Sequence, residues 1–229
     1  GLSKIEIFGK KNLSAINHRV PGDPSNAAFF TALTLLKKNS KLKIKNVCLN
    51  PRRIGFYKLL KRSGANIKFK NKKVLNNELV GDIHVLSSNL KPLVSKSKEF
   101  STMVDEFPIL FVIASLIPGT SIFNGIEDLA NKESNRILEM KKILKKINVN
   151  CKYKSDQLKV KGLKKISTKN KKIIVPNLHD HRICMSTSIL SLLTGINSEI
   201  KNFETVRTSS PSFLKIIKFL GGKYEIKKK

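Results

Sequence analysis

The sequence contains no tryptophan, only three cysteines and only 16 acidic residues among 229. Cys48, Cys151 and Cys184 are odd in number and far apart, which excludes a disulfide framework and provides no metal-ligand spacing. We therefore expect reduced structural thiols in a cytoplasmic protein, with no metal site. An apolar stretch of about 18 residues or more is also missing, so the sequence predicts no transmembrane helix.

The shortage of acids leaves a large positive charge. With 45 Lys and Arg residues, the formal net charge is +29, which suggests nucleic acid, an acidic surface or anionic substrates as partners. The lysines are spread from Lys4 to Lys229, aromatic residues make up only 7%, and no common nucleic-acid-binding motif occurs. Nucleic acid is therefore an unlikely partner, and a compositional bias explains the charge equally well.

A threefold repeat is present in the hydrophobic pattern. Three segments are apolar nearly all round, which is typical of helices buried inside a protein: 25–36, 106–117 and 182–193. Each is followed by a strand-like run and then by an amphipathic helix. The amphipathic helices end near residues that accept a left-handed backbone, after which we expect a strand to resume: Gly64, Asn148 and Gly221.

This pattern predicts an α/β fold in which buried helices lie inside a wall of strands, with pseudo-threefold symmetry. Further strands fit "GDIHVLSS" and "DQLKVKG" in the first two copies. Residues 1–22 fall outside the repeat, and we expect strands there in "KIEIF" and "INHRV".

Each buried helix begins with an acid, namely Asp23, Asp105 or Asp180. The simplest interpretation is that all three are N-caps, which we favour for Asp23. The repeat would, however, bring the N-termini of several helices to one end of the domain, where they favour anions.

Charged residues cluster at these predicted helix starts. Lys132, Glu133 and Arg136 fall within one helical turn, and His181 and Arg182 open the third buried helix. Taken singly, such groups are more typical of solvated helix ends. Together with Asp105 they form two carboxylates among several fixed cations, which suits phosphorylated and carboxylated substrates.

Five ordered motifs carry a resemblance to a known family: "VPGDPSNAAFF", "LNPRRIGF", "VDEFPIL", "NKESNRI" and "DHRICMS". In these segments the chain resembles the EPSP synthases (3-phosphoshikimate 1-carboxyvinyltransferases) along nearly its whole length. The related UDP-N-acetylglucosamine enolpyruvyl transferases are a weaker match, because they lack the last two motifs.

The resemblance implies a protein of two similar lobes, each built from three βαβαββ units, that close on substrate. It implies that residues 1–22 are a remnant of the N-terminal lobe with the crossover strand, and that residues 23–229 are the C-terminal lobe. The N-terminal lobe of the same chain would then be absent here. The full-length protein is expected to be monomeric and cytoplasmic.

The family reaction transfers the enolpyruvyl group of phosphoenolpyruvate to the 5-hydroxyl of shikimate 3-phosphate and releases phosphate. By motif position, the resemblance implies Asp105 as the base and Glu133 as the proton donor to the methylene carbon. Lys132 would bridge the reacting hydroxyl and the intermediate, and Asp105, Lys132 and Asp128 would contact shikimate 3-phosphate.

The resemblance also implies a phosphoenolpyruvate site, formed by Arg136, Arg182, His181 and Arg207, with no cofactor. Several positions depart from the family pattern: Asn26, Ala130, Asn135, His179 and Thr208. The competing interpretation is a basic module that binds phosphates or nucleic acid without turnover, although such a module has no need of Glu133.

Overall fold

The computed structural model describes residues 4–10, 12–168 and 171–227, which form three consecutive α/β units. The first unit contains α1 (Pro24–Leu36), β1 (Lys41–Cys48), α2 (Gly55–Arg62), β2 (Asn66–Leu75) and β3 (Glu78–Leu86). The second contains β4 (Val94–Ser95), α3 (Phe107–Leu116), β5 (Gly119–Asn124), α4 (Arg136–Lys146), β6 (Asn150–Lys154) and β7 (Gln157–Gly162). The third contains β8 (Lys172–Val175), α5 (His181–Thr194), β9 (Asn197–Ile200) and α6 (Phe213–Phe219).

The sheets repeat one topology. The second unit has the strand order β4-β5-β7-β6, and the first has the matching order β1-β3-β2. In each unit the strand before the buried helix pairs in parallel with the strand after it. Strand β4 pairs with β5, and β8 with β9, while in the first unit a single parallel bridge joins Gly22 to Val47. The expected βαβαββ order is therefore complete in the second unit.

The helices α1, α3 and α5 lie at the centre of the fold and contact one another. In α3, nine of the ten residues are buried, because the helix is apolar on every side. Phe107 and Phe111 pack against Phe123 of β5 with ring centroids 6.1 and 5.0 Å apart. Burying one such side chain contributes about 2–3 kcal/mol. Among the described residues, no helix combines the length and apolarity needed to cross a membrane.

The outer helices α2, α4 and α6 end in the same turn, as the sequence predicted. A residue with positive φ follows each helix, with φ of 99° at Gly64, 65° at Asn148 and 85° at Gly221. The next backbone N–H then reaches back five residues to a carbonyl of the helix. The donor–acceptor distances are 2.9 Å for Ala65 to Leu60, 3.1 Å for Val149 to Leu144 and 2.9 Å for Gly222 to Ile217.

Three strand predictions were wrong. Within the described part of residues 1–22, neither "KIEIF" nor "INHRV" forms a strand, and Ile5 and Ile7 are 83% and 89% exposed. No strand forms at 223–227 after Gly221 either. The segments "KIEIF" and 223–227 largely alternate apolar and polar residues, but alternation yields a strand only where a neighbouring strand supplies the backbone hydrogen bonds.

One close backbone approach fixes how α3 lies on its sheet. A Cβ atom at Gly162 would lie 1.9 Å from the Ile117 carbonyl oxygen and 2.2 Å from that of Ala114. We expect Gly162→Ala to lower the free energy of unfolding by about 3 kcal/mol, because backbone must move to admit the methyl group. The matched control is Gly195→Ala, where a Cβ meets nothing within 4 Å but φ is +74°.

The control should cost only about 1 kcal/mol, the cost of a left-handed non-glycine residue. Urea unfolding followed by circular dichroism measures both variants. Equal losses in the two variants would contradict the packing argument.

Candidate active site

Two of the three predicted N-caps are caps in the structure. The Asp23 carboxylate accepts hydrogen bonds from the backbone N–H groups of Ser25 and Asn26 at 3.0 and 3.2 Å. The Asp180 carboxylate accepts those of Arg182 and Ile183 at 2.9 and 3.3 Å. These bonds satisfy N–H groups that the first turn of a helix leaves without partners.

Asp105 is different, because it caps nothing. It lies in a 3₁₀ turn (Val104–Glu106) that precedes α3. Its carboxylate accepts a hydrogen bond from Arg182 Nη2 at 3.1 Å and a long one from Arg136 Nη1 at 3.4 Å. Asp105 therefore joins the N-terminal ends of α3, α4 and α5.

Arg136 is the centre of this cluster, and its side chain is only 1% exposed. Its Nε donates to Asp180 Oδ2 at 3.0 Å, and its Nη2 donates to Glu133 Oε2 at 2.6 Å. The Ser134 hydroxyl adds a bond of 2.9 Å to Asp180. A buried guanidinium is tolerated only when carboxylates compensate its charge, and here three carboxylates do so.

Arg182 is also buried, at 5% exposure, but not all of its hydrogen-bond donors have partners among the described residues. Its guanidinium lies 6.0 Å from the ring centroid of Phe29, and Nη2 binds Asp105. In the described part of the chain, Nε and Nη1 have no hydrogen-bond partner. Buried donors without acceptors are costly, so this side chain is suited to receiving an anion.

His181 lies beside this pair, with Nδ1 3.9 Å from Glu133 Oε1. Burial, and then the positive charge of Arg182, lower the pKa of His181 below its usual range. The imidazole is therefore neutral at pH 7 and acts at Glu133 as a polar neighbour rather than as a cation.

Lys132 lies outside the helix in which the sequence placed it, and it pairs with Asp128. Because α4 begins at Arg136, Lys132 and Glu133 precede the helix, and the prediction that these three residues fall within one helical turn was wrong. Lys132 has an extended backbone and its ammonium group pairs with Asp128 Oδ2. Both side chains are partly open to solvent, with 27% and 53% exposure.

Arg207 does not join the cluster in this structure. It is exposed in the 3₁₀ turn Phe203–Thr208, and among the described residues it forms no ion pair with the acids named above. The turn nevertheless lies beside the start of α1, because the Asn26 side-chain amide donates to the Ser209 carbonyl at 2.9 Å. The Thr208 hydroxyl is occupied by a 2.8 Å bond to the Thr205 carbonyl.

Two departures from the family pattern have local structural roles. Asn135 is the N-cap of α4 and accepts the Leu138 N–H at 2.9 Å, as an aspartate would. His179 has a φ of 52°, a left-handed conformation that glycine adopts more easily. Its ring nitrogen Nδ1 lies 2.9 Å from the Asn202 amide, which ties the loop before Asp180 to the turn after β9 within the third unit.

Sequence reasoning missed two participants, Glu106 and Arg53. Glu106 is 3% exposed, and burial raises the pKa of its carboxyl to about 7, against the opposing effects of the Ser25 hydroxyl and the Arg182 charge. The apolar run that follows Glu106 was the signal that it would be buried. Arg53 forms an ion pair with Asp23 at 3.2 Å.

A depression of about 170 Å³ opens beside the cluster. Its lining is formed by the start of α1, the segment before α2 and the turn before α3: Ser25, Arg53 and residues 101–106. Within the same described ranges, no group of three or more His, Cys, Asp or Glu side chains is placed to hold a metal ion.

Buried arginines, carboxylates and three helix N-termini lie together at one end of this α/β lobe, an arrangement suited to binding anions. Comparison with known sequences makes this specific. The sequence model of EPSP synthase (3-phosphoshikimate 1-carboxyvinyltransferase) matches residues 2–217. The chain therefore belongs to the EPSP synthase family.

Individual relatives agree with the family match. A 3-phosphoshikimate 1-carboxyvinyltransferase of Petrotoga mobilis is 40% identical over 206 residues, which are 90% of this chain and 47% of the relative. An EPSP synthase structure from Acinetobacter baumannii superposes with a TM-score of 0.80 at 31% identity, covering 92% of this chain and 48% of that one. The enolpyruvyl transferase NikO of Streptomyces tendae, at 12% identity and a TM-score of 0.59 over 87% of this chain and 43% of its own, shares the fold.

These matches confirm the predicted family and the predicted α/β fold. The chain spans about half the length of the relatives it matches, since it covers 47% of the Petrotoga protein. The match to EPSP synthases is also stronger than the likeness to NikO, whose identity is 12%.

The two caps provide a matched test of the buried cluster. Asp23 and Asp180 each cap a buried helix, but only Asp180 also compensates Arg136. We expect Asp23→Ala to cost about 1 kcal/mol of unfolding free energy, the value of a cap. Asp180→Ala should cost about 3–5 kcal/mol, because it leaves a buried guanidinium without its main partner.

Denaturant unfolding of both variants measures the difference. Similar losses would mean that Arg136 does not depend on Asp180, and the description of Arg136 as the centre of the cluster would be wrong.

Proposed function

We propose that this chain is the C-terminal lobe of an enzyme that transfers the enolpyruvyl group of phosphoenolpyruvate to the 5-hydroxyl of shikimate 3-phosphate, with release of phosphate. The observation that supports this most strongly is the convergence of Asp105 and Glu133 on the buried side chains of Arg136 and Arg182. The names of the relatives point to the same reaction.

Arg182 is the residue best suited to bind the carboxylate or phosphate of phosphoenolpyruvate. Among the described residues its buried Nε and Nη1 have no hydrogen-bond partner, so both donors remain open to an anion. Arg136 already contacts three carboxylates, and an anion that binds at Nη2 would displace Glu133. That exchange would free the Glu133 carboxyl group, beside the neutral His181, to hold a proton.

Addition requires two proton transfers, one from the shikimate hydroxyl and one to the vinyl methylene carbon. Asp105 is assigned as the base, since its carboxylate is fixed by two guanidinium groups and is 42% exposed toward the open side. Glu133, with similar exposure of 44%, is assigned as the acid. Elimination then breaks the bond to phosphate beside the arginines, while the Glu133 carboxylate takes a proton back from the new methyl group and the vinyl group is restored.

Lys132 and Asp128 are assigned to shikimate 3-phosphate. In this structure they neutralise each other, so binding requires the ammonium group to leave Asp128 for the substrate oxygen or phosphate. Both side chains remain accessible enough for such a change of partner. Arg207 is assigned to the phosphoenolpyruvate side on family resemblance alone, and it would have to move toward the cluster.

The remaining assignments concern the whole protein. Residues 1–22 are proposed to be the remnant of an N-terminal lobe with its crossover, and residues 23–229 the C-terminal lobe. The parallel bridge between Gly22 and Val47 supports a strand entering at that point. The full-length enzyme is proposed to be monomeric and cytoplasmic, with a cleft between its lobes that closes on the two substrates.

The test is phosphate release from phosphoenolpyruvate and shikimate 3-phosphate, measured with the longest reading frame that encodes this chain. We expect release to depend on both substrates. Glu133→Gln should lower kcat by about 10²–10⁴-fold, the usual effect of removing a general acid. The matched control is Glu127→Gln, an exposed residue of the neighbouring 3₁₀ turn, which should keep the wild-type rate.

Phosphoenolpyruvate binding without phosphate release in the wild-type protein would support the alternative of a binding module. Equal rates for the Glu133 and Glu127 variants would exclude Glu133 as the acid. Transfer to UDP-N-acetylglucosamine in place of shikimate 3-phosphate would assign the chain to the related transferases.

A further inference from the structure

A 3₁₀ turn of the third unit, Phe203–Thr208, is bound at its C-terminal end to the first unit. The side-chain amide of Asn26, in the first turn of α1, donates to the Ser209 carbonyl at 2.9 Å. The two residues are 183 positions apart, and their bond is partly buried. A hydrogen bond that is shielded from water holds its two segments more firmly than an exposed one. The end of the turn is thus fixed to the helix start that Asp23 caps.

The N-terminal end of the same turn is bound to the loop before α5. The Asn202 amide lies 2.9 Å from His179 Nδ1, and the Thr205 hydroxyl donates to the His179 carbonyl at 3.2 Å. Asp180, the next residue, caps α5 and binds Arg136. The loop that holds the turn therefore leads directly into the charged cluster.

Aromatic packing connects the turn with Arg182. Phe203 packs against Phe213 of α6 with ring centroids 6.3 Å apart, and Phe213 packs against Phe29 of α1 with centroids 6.2 Å apart. The guanidinium of Arg182 lies 6.0 Å from the Phe29 centroid. These three rings form a continuous packed row from the turn to the arginine that has open donors.

We propose that Asn26 and His179 are positioning residues that hold the turn at the edge of the anion site, and so place Arg207 for a second contact with a phosphate or carboxylate bound at Arg182. Arg207 is exposed on this turn, and among the described residues it forms no ion pair with the acids of the cluster. With the turn fixed, only the side chain of Arg207 has to become ordered when the anion binds. A free turn would lose backbone entropy as well, and affinity would fall.

Three of the five positions that depart from the family pattern meet at this turn. Asn26 and His179 bind it, and the Thr208 hydroxyl closes it with a bond of 2.8 Å to the Thr205 carbonyl. His179 has a φ of 52°, which is unfavourable for a residue with a Cβ atom. Such a conformation persists only where the surrounding contacts hold it, and here both the ring and the carbonyl of His179 contact the turn.

The experiment is a double-mutant cycle on Asn26 and Arg207. The affinity for inorganic sulfate is measured by calorimetry with the protein from the longest reading frame that encodes this chain. We expect Asn26→Ala and Arg207→Ala each to weaken sulfate binding about three- to tenfold. The double variant should bind sulfate no more weakly than Arg207→Ala alone, because Asn26 acts through Arg207.

The matched control is Asn124→Ala in the second unit. The Asn124 amide also donates to a distant carbonyl, that of Ser95, at 2.7 Å, but it has no contact with the 203–208 turn. This variant should lose a comparable hydrogen bond and keep the wild-type sulfate affinity.

His179→Gly tests the other end of the turn. Glycine adopts the left-handed backbone of this position without strain, so the fold is retained while the ring contact with Asn202 is lost. The variant should weaken sulfate binding about threefold, and this loss too should disappear when Arg207 is alanine. If Asn26→Ala does not fold, the cycle of His179 and Arg207 decides.

Additive losses in the double variants would overturn the inference, because Asn26 and His179 would then act by a route other than Arg207. An unchanged sulfate affinity in Arg207→Ala would overturn it as well. The inference rests on the proposed function only in naming the anion as phosphoenolpyruvate. Coupled losses without shikimate-dependent phosphate release would remove the proposed function and leave this inference standing, whereas normal release with additive losses would do the reverse.

Discussion

The fold depends on how one buried positive charge, that of Arg136, is compensated. Its side chain is 1% exposed and contacts carboxylates from three parts of the chain. Desolvating a guanidinium costs several kcal/mol, so the arrangement is stable only if the N-terminal ends of α3, α4 and α5 are all in place. A cluster meant only for stability would be better built from apolar side chains. The retention of charges in an interior otherwise filled by phenylalanine, leucine and isoleucine indicates a site under functional constraint.

The three units use the acid at the start of their buried helix in different ways. Each buried helix is preceded by an acid, and in the first and third units that acid caps the helix. In the second unit a 3₁₀ turn precedes the helix. Asp105 in this turn contacts the arginines, and Glu106 is buried. Adjacent acids thereby reach different environments, one partly exposed and one buried. Divergence of a repeated helix start thus provides both an accessible carboxylate and a buried one without any change of fold.

The sequence predicted the parts of this structure that depend on local pattern. Helices that are apolar on every side have to be buried, and Gly64 or Asn148 marks a left-handed helix end. Strands in residues 1–22 were predicted wrongly, because pairing depends on a partner that no local pattern reveals. The site residues were found through resemblance, but Asp180 looked like a simple cap. Its second role, holding Arg136, comes from a contact across 44 residues that spacing does not indicate.

The turn that ends the three outer helices differs in one respect with a thermodynamic consequence. The second unit uses Asn148 where the others use glycine. An unfolded chain explores far fewer backbone conformations at asparagine than at glycine, so less entropy is lost when this turn forms. The end of α4 is thus held by a turn whose ordering is entropically less costly than those that close α2 and α6. The same helix begins at Arg136. The outer helix whose end turn loses the least backbone entropy on folding is therefore the one that carries the buried charge at its start.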